Sequence, residues 1–299
     1  MQRTLAIVNP AAGGGRCGRL APEALATLRE AGIALDVKET TAPGEATHIA
    51  RAAYAEGVRD FVAVGGDGTG FEIVNGLFPE ALEAPARPTL GFLPLGTGNS
   101  FLRDFTSEGA DYSLKALAAG KRRPVDVLRL RHKEGATYFI NILSLGFMAD
   151  VCTVTNRRFK RFGELGYGLG VVFTVAGLEC LPIPFSVDGG PLHEEPFAFV
   201  SISNSRFTGG KMLMAPGADC ADGLADVIVA TQLGRFALVR TFPKVFSGLH
   251  LKHPAVRSMQ ARTITFAVDG PRAAMIDGEV IQLWPESLEV LPQALEVRA

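Results

Sequence analysis

Cysteine and tryptophan are scarce: the 299 residues include four of the first and one of the second. Cys17, Cys152, Cys180 and Cys220 lie far apart in sequence. That spacing excludes a CxxC zinc or redox pair and reads as reduced thiols of a cytoplasmic protein. A surplus of either charge is missing as well, because 30 Lys and Arg face 31 Asp and Glu for a formal net charge of −1. A general nucleic-acid binder would show a broad basic excess, so no nucleic-acid partner is expected, although local basic patches remain open. Long apolar runs are also lacking. The opening MQRTLAIVNP has four consecutive apolar residues before Asn9-Pro10, too few for a signal-peptide core. The most apolar stretch, residues 165–181, contains Glu179 and four glycines and falls short of the roughly 20 apolar residues that span a bilayer. The expectation is a protein free in the cytoplasm or seated on a membrane surface without crossing it.

What is present is ordinary for a folded chain: 47% hydrophobic and 20% charged residues. At about 150 residues per domain the length suggests two domains. Over the first 125 residues strand and helix signals alternate. Apolar runs at 5–8, 33–37, 61–64 and 90–93 read as strands. Helical stripes run through Leu20, Ala24, Leu25, Leu28 and Ala31, capped by Gly32, and through Ala46, Ile49, Ala50, Ala53 and Tyr54, stopped near Gly57. This alternation predicts an α/β domain with a mostly parallel, Rossmann-like sheet. After Lys121-Arg122-Arg123-Pro124 the texture changes. Strand-like runs at 125–130, 138–142, 183–187, 197–202, 225–230 and 263–268 are parted by DG, GG and PG turns, the pattern of an antiparallel sandwich or barrel. Residues 162–180 and 233–251 are long enough to be helices.

Three loops carry the chemistry. Gly65-Gly66-Asp67-Gly68-Thr69 follows a predicted strand and opens a helix predicted to begin near Thr69. Glycines there let backbone N–H groups face a phosphate chain, and the helix N-terminus favours an anion. An acid inside a phosphate cradle is useful when it holds Mg²⁺ or orients an acceptor hydroxyl, the roles open to Asp67; a plain Asp-Gly turn is the alternative. Asn9-Pro10-Ala11-Ala12-Gly13-Gly14-Gly15 and Pro94-Leu95-Gly96-Thr97-Gly98-Asn99 also follow predicted strands. All three would meet at one edge of a parallel sheet, where such sheets bind ligands. No GxxxxGK[ST] motif occurs, so this is not a P-loop enzyme, and the HRD and DFG motifs of protein kinases are missing.

These motifs resemble the diacylglycerol-kinase catalytic-domain family of soluble bacterial lipid kinases, sphingosine kinases and ceramide kinases. The matches are NPxxGxG at 9–15, TxxxGEA at 40–46, GGDGT with ExxNGL at 65–77, PLGTGNxF at 94–101, and Ser144-Leu145-Gly146-Phe147-Met148-Ala149 for SxGFDA. Asn204, Gly209-Gly210, Met212, Ala215-Pro216 and Asp222-Gly223-Leu224 follow in order, and Asp277-Gly278-Glu279 stands for the family's DGE. The resemblance covers nearly the whole chain. It implies a nucleotide domain of phosphofructokinase-like type at 1–124, completed by about 286–299, and a lipid-binding β-sandwich at 125–285, with the active site in the cleft between them.

It also implies roles. ATP would lie on Asn9, Pro10, Ala11, Ala12, Gly13, Thr40, Gly65, Gly66, Asp67, Gly68, Thr69, Gly70, Phe71, Glu72, Gly96, Thr97 and Asn99. Asp277 or Glu279 would take the proton from a lipid hydroxyl, with Asp67 and Glu72 supporting Mg²⁺–ATP or the acceptor. A structural Mg²⁺ would sit on Asp219, Asp222 and the Leu224 carbonyl, three oxygen donors suited to a hard cation. The acceptor is a membrane lipid, diacylglycerol by default and ceramide or a sphingoid base as the alternative. Phe147, Met148, Phe207, Met212 and Met214 would line an acyl pocket or belong to the core. Met148, Ser100 and Lys211 depart from the family pattern, which bears on substrate detail more than on ATP. Two basic groups, Arg157, Arg158, Lys160 and Arg161, and Lys244, His250, Lys252, His253 and Arg257, are candidates for contact with an anionic membrane surface or for a solvated face. A homodimer is compatible with the sequence. The rival readings are an NAD kinase, which shares GGDGT, and a non-catalytic nucleotide or lipid sensor.

Overall fold

The computed structural model describes residues 3–154, 180–231 and 233–299. The helix expected at 162–180, the apolar stretch 165–181 and the basic group 157–161 lie almost wholly outside the described residues. The chain divides into two compact units, Met1–Val127 with Gln293–Ala299, and Leu128–Pro292. Two strands, Arg122–His132 and Pro285–Arg298, carry the chain from one unit to the other.

The first unit is α/β. Strands β1 (Thr4–Val8), β2 (Leu35–Glu39), β3 (Asp60–Gly65) and β4 (Thr89–Pro94) pair in parallel in the order β4-β3-β1-β2. β1 and β3 are buried at every position, which is why they read as unbroken apolar runs rather than alternating ones. Helix α1 (Arg16–Glu30) buries Cys17, Ala21, Leu25 and Leu28 against Val62, Val64 and Leu93. It ends where Gly32 takes φ +86° and Ile33 N–H donates to Leu28 O at 3.1 Å, the left-handed stop that Gly supplies without steric cost. Helix α2 (Glu45–Ala55) packs on α3 (Asp67–Leu77), and α4 (Ala110–Ala119), which periodicity did not single out, buries Leu117 beside β4. Residues 296–298 add a fifth parallel strand against β4. Asp60, at the base of β3 and fully buried, holds that strand down: Arg298 Nη2 lies 2.7 Å from its carboxylate and Arg122 Nη2 lies 3.3 Å from it.

The second unit is a β-sandwich. One antiparallel sheet runs Val256–Ala261, Ala225–Thr231, Pro196–Ser203, Ile142–Gly146, Arg272–Ile276 and Glu279–Leu283. The other contains Phe185–Val187, Thr263–Phe266 and residues 287–289. Phe185 of one layer meets Phe197 of the other with ring centroids 5.6 Å apart. The single strand expected at 138–142 is in fact the ends of two, Gly135–Phe139 and Ile142–Gly146. The break falls where the amides of Ile140, Asn141 and Ile142 turn to a buried carboxylate instead of a neighbouring strand. Helix α5 (Phe147–Val154) follows directly. The long helix expected at 233–251 is instead one short helix, α6 (Arg235–Thr241), and two 3₁₀ segments, Phe242–Ser247 and Leu249–Lys252. Pro243 at the first turn and Gly248 at φ +71° divide them.

Candidate active site

The parallel register sets the three glycine loops side by side. Val8 is opposite Val64, and Gly65 is opposite Pro94. Beyond the strands the adjacency continues: Asn9 N–H donates to Val64 O at 2.9 Å, Thr40 N–H to Val8 O at 2.8 Å, and Gly96 N–H to Gly65 O at 2.7 Å. Thus 9–15, Thr40, 65–69 and 94–99 form one crest along four neighbouring strand ends. Gly13, Gly14 and Gly15 are all left-handed (φ +63°, +64° and +84°), a conformation that side chains rarely tolerate. At Gly96 a Cβ would lie 2.8 Å from Gly66 Cα and 2.9 Å from its nitrogen. The loops touch through backbone, and only glycine fits there.

Asp67 is the first residue of α3, which begins there rather than at Thr69. It faces the 94–99 loop, where its Oδ2 accepts the Ser100 N–H at 2.8 Å. Burial raises the Asp67 carboxyl above its ordinary range, while the Ser100 amide and hydroxyl and the Phe101 amide pull it back. The Thr69 hydroxyl is buried and has no hydrogen-bond partner among the described residues, a donor held ready beside the loop. Thr97 is exposed on the crest, and Asn99 sits at φ +52° with its amide donating to Gly96 O. Gly65, Gly66, Asp67 and Asn99 line a small hollow at the ends of β3 and β4. Gly70 and Phe71 are buried in α3, Phe71 in its apolar core and Gly70 against Phe92.

Glu72 is placed differently. Its two carboxylate oxygens accept the N–H groups of Gly44 and Ala46 at 2.9 and 3.0 Å. It caps the start of α2 and ties the 40–46 motif to α3. The 219–224 segment is a pair of Asx turns. Asp219 Oδ1 accepts Ala221 N–H at 3.0 Å and Asp222 Oδ1 accepts Leu224 N–H at 2.9 Å. Leu224 thus turns its amide to Asp222. Among the described residues no three His, Cys, Asp or Glu side chains gather as a metal cage.

In the second unit the DGE acids separate sharply. Asp277 is buried, at φ +48°, in the two-residue turn between Arg272–Ile276 and Glu279–Leu283. Its Oδ1 accepts Asn141 N–H at 3.2 Å and Ile142 N–H at 2.8 Å, and Oδ2 accepts Ile140 N–H at 3.2 Å. Its own N–H donates to Ile142 O at 3.0 Å. Asn204 completes the hub by donating from Nδ2 to Ile140 O at 2.8 Å. Asp277 thus ties the turn to the backbone of residues 140–142. Glu279, two residues on, is exposed. Sequence spacing could not tell the two apart; the DG pair, a hairpin-turn signal, was the available hint. An apolar hollow in the same unit is lined by Phe147, Met148, Met212 and Met214, all anticipated, together with Phe199, Leu238, Phe242 and Val245. Phe207 is not part of that lining.

Known proteins share this organisation. The diacylglycerol kinase catalytic domain matches residues 3–130, and the YegS C-terminal NAD kinase beta sandwich-like domain matches residues 141–299. A diacylglycerol kinase of Mycobacterium tuberculosis is 28% identical over 300 residues, 99% of this chain and 94% of that protein. A YegS-like lipid kinase of Xanthomonas axonopodis pv. citri is 35% identical over 217 residues, covering 71% of this chain and 69% of that protein. A solved Bacillus anthracis structure, provisionally assigned as a diacylglycerol kinase, superposes with a TM-score of 0.80 at 26% identity, covering 99% of this chain and 97% of the other. The protein is a lipid kinase. It belongs to the diacylglycerol kinase catalytic domain family.

Proposed function

We propose that this protein transfers the γ-phosphoryl group of ATP to the primary hydroxyl of diacylglycerol. The carrying observation is the crest: four contiguous loops on adjacent parallel strands, with left-handed glycines, a partnerless Thr69 hydroxyl and Asp67 among them. Phosphoryl transfer needs positioning and charge neutralisation more than covalent help, and backbone amides at strand ends supply both. The first unit takes the nucleotide on 9–13, Thr40, 65–71 and Thr97. Mg²⁺ arriving with ATP would neutralise phosphate charge, and Asp67 is the carboxylate placed on the crest to hold it. The second unit takes the acceptor, with the apolar hollow behind Phe147 and Met212 for an acyl chain.

Glu279 acts as the base. The lipid oxygen bonds to the γ-phosphorus as the bond to the β–γ bridging oxygen breaks; the hydroxyl proton passes to Glu279 and ADP leaves. Asp277 holds the turn that presents Glu279, its own oxygens being engaged by three amides. The test is nucleotide binding. Gly96→Val, which drives a side chain into Gly66, should abolish ATP binding to the folded protein by calorimetry, whereas Glu279→Gln should bind ATP as the parent does. Unchanged ATP affinity in a folded Gly96→Val variant contradicts the reading.

A further inference from the structure

Between Val227 and Val268 the sequence holds no aspartate or glutamate, yet it carries Arg235, Arg240, Lys244, Lys252, Arg257 and Arg262. The middle of this stretch, α6 and the two 3₁₀ segments after it, is two-faced. Leu238, Thr241, Phe242, Val245 and His250 point inward and line the apolar hollow. Phe236 is 82% exposed, and Val239, Phe246 and Leu249 are 46–47% exposed. Phe246 meets Phe242 edge-on at 5.9 Å, so apolar side chains run without interruption from the surface to the hollow. Arg235, Arg240, Lys244 and Lys252 are exposed among them, and none of the four is in an ion pair among the described residues.

We propose that residues 235–252 form the surface that docks on an anionic lipid bilayer, with Phe236, Val239, Phe246 and Leu249 in the headgroup–acyl boundary and the four cations on the headgroups. Solvated aromatic and aliphatic side chains interleaved with uncompensated cations suit an amphipathic element lying in that boundary. A second copy of the chain suits it poorly. A two-fold interface pairs a patch with itself and would bring these cations together without an acid in the segment. The continuity with the hollow means that a docked surface offers an acyl chain an apolar route inward. The purpose of this surface rests on the lipid-acceptor reading; its test does not.

The full chain is sedimented with vesicles of phosphatidylcholine alone and with 30% phosphatidylglycerol, across a sodium chloride series. Binding should require the anionic lipid and weaken with salt. At about fivefold in partitioning per basic residue, the combined Arg235→Glu, Arg240→Glu and Lys244→Glu variant should partition at least roughly a hundredfold less. In a Phe236→Trp variant the added indole emission should shift to the blue on vesicles and be quenched by brominated acyl chains, with the parent protein's Trp284 signal subtracted. Circular dichroism checks that each variant is folded. Unchanged sedimentation of the charge-reversed protein overturns the proposal, as does added emission in Phe236→Trp that is unmoved by vesicles the protein binds. So does a dimer in solution that dissociates in Phe236→Ser/Phe246→Ser. Turnover of a monomeric short-chain diacylglycerol separates the two readings. Its absence in the parent protein counts against the kinase chemistry alone, while vesicle binding stands or falls by itself.

Discussion

Asp277 and Glu279 give a paired test in which structural and chemical roles diverge. In Asp277→Asn the backbone is not the obstacle, since Asn tolerates φ near +48° as Asp does. The cost lies in the hydrogen bonds. An amide oriented to keep its oxygen on Asn141 and Ile142 turns its NH₂ toward the Ile140 N–H, which then has no acceptor. Leaving a buried donor unmade costs about 1–3 kcal/mol, and exchanging two charge-assisted bonds for neutral ones costs on the order of 1 kcal/mol each. The sum is about 3–5 kcal/mol, a fall of roughly 6–20 °C in melting temperature for a unit of this size. Glu279→Gln alters an exposed side chain and should leave stability within about 0.5 kcal/mol, while turnover falls by roughly 10²–10⁴ as general-base catalysis is lost. The assay is thermal unfolding beside kcat for both variants. If Asp277→Asn melts with the parent and is inactive while Glu279→Gln remains active, the roles are reversed and Asp277 is the base.

Other outcomes follow from the same physics. Because burial raises the Asp67 carboxyl, its ionised form is disfavoured in the folded state, so it withdraws stability as pH rises through and above the ordinary Asp range. Asp67→Asn, which keeps an acceptor for Ser100 N–H, should therefore melt no lower than the parent at pH 7 yet lose turnover at least about 10²-fold; a lower melting temperature would contradict this. Asp60→Ala strands the Arg298 guanidinium, while Arg122 keeps its pair with Glu296, and should cost about 3–5 kcal/mol in urea unfolding, with faster proteolysis at 293–299; an unchanged midpoint would refute the clamp. His250 is buried with Nε2 2.9 Å from Met214 O, and burial lowers its pKa. The unfolded chain therefore takes up the proton first, and stability should fall as pH drops below about 6.5. His250→Gln can still donate to Met214 and should flatten that slope between pH 7 and 5; an unaltered slope would exclude His250 as its source.

Much of the first unit was legible because buried parallel strands leave continuous apolar runs and their loops carry glycine. The runs at 61–64 and 90–93 fall inside β3 and β4, and Gly32 does end α1. Positions where a polar side chain serves the backbone were not legible. Glu72 caps a helix and Asp277 ties three amides. Both facts depend on partners 26–28 and 135–137 residues away, which spacing does not reveal. The Asp60 clamp escaped for the same reason, its arginines arriving from 122 and 298. The segment 233–251 is long enough for one helix, but Pro243 and Gly248 break it into three.

The most direct measurement is transfer of labelled γ-phosphate from ATP in Mg²⁺ to mixed-micelle diacylglycerol, monoacylglycerol, ceramide and sphingosine, with NAD as a soluble comparison. The proposed function predicts label on diacylglycerol, lost in Glu279→Gln with ATP binding intact. Label on NAD alone, or on no lipid while ATP still binds, would contradict the proposed reaction.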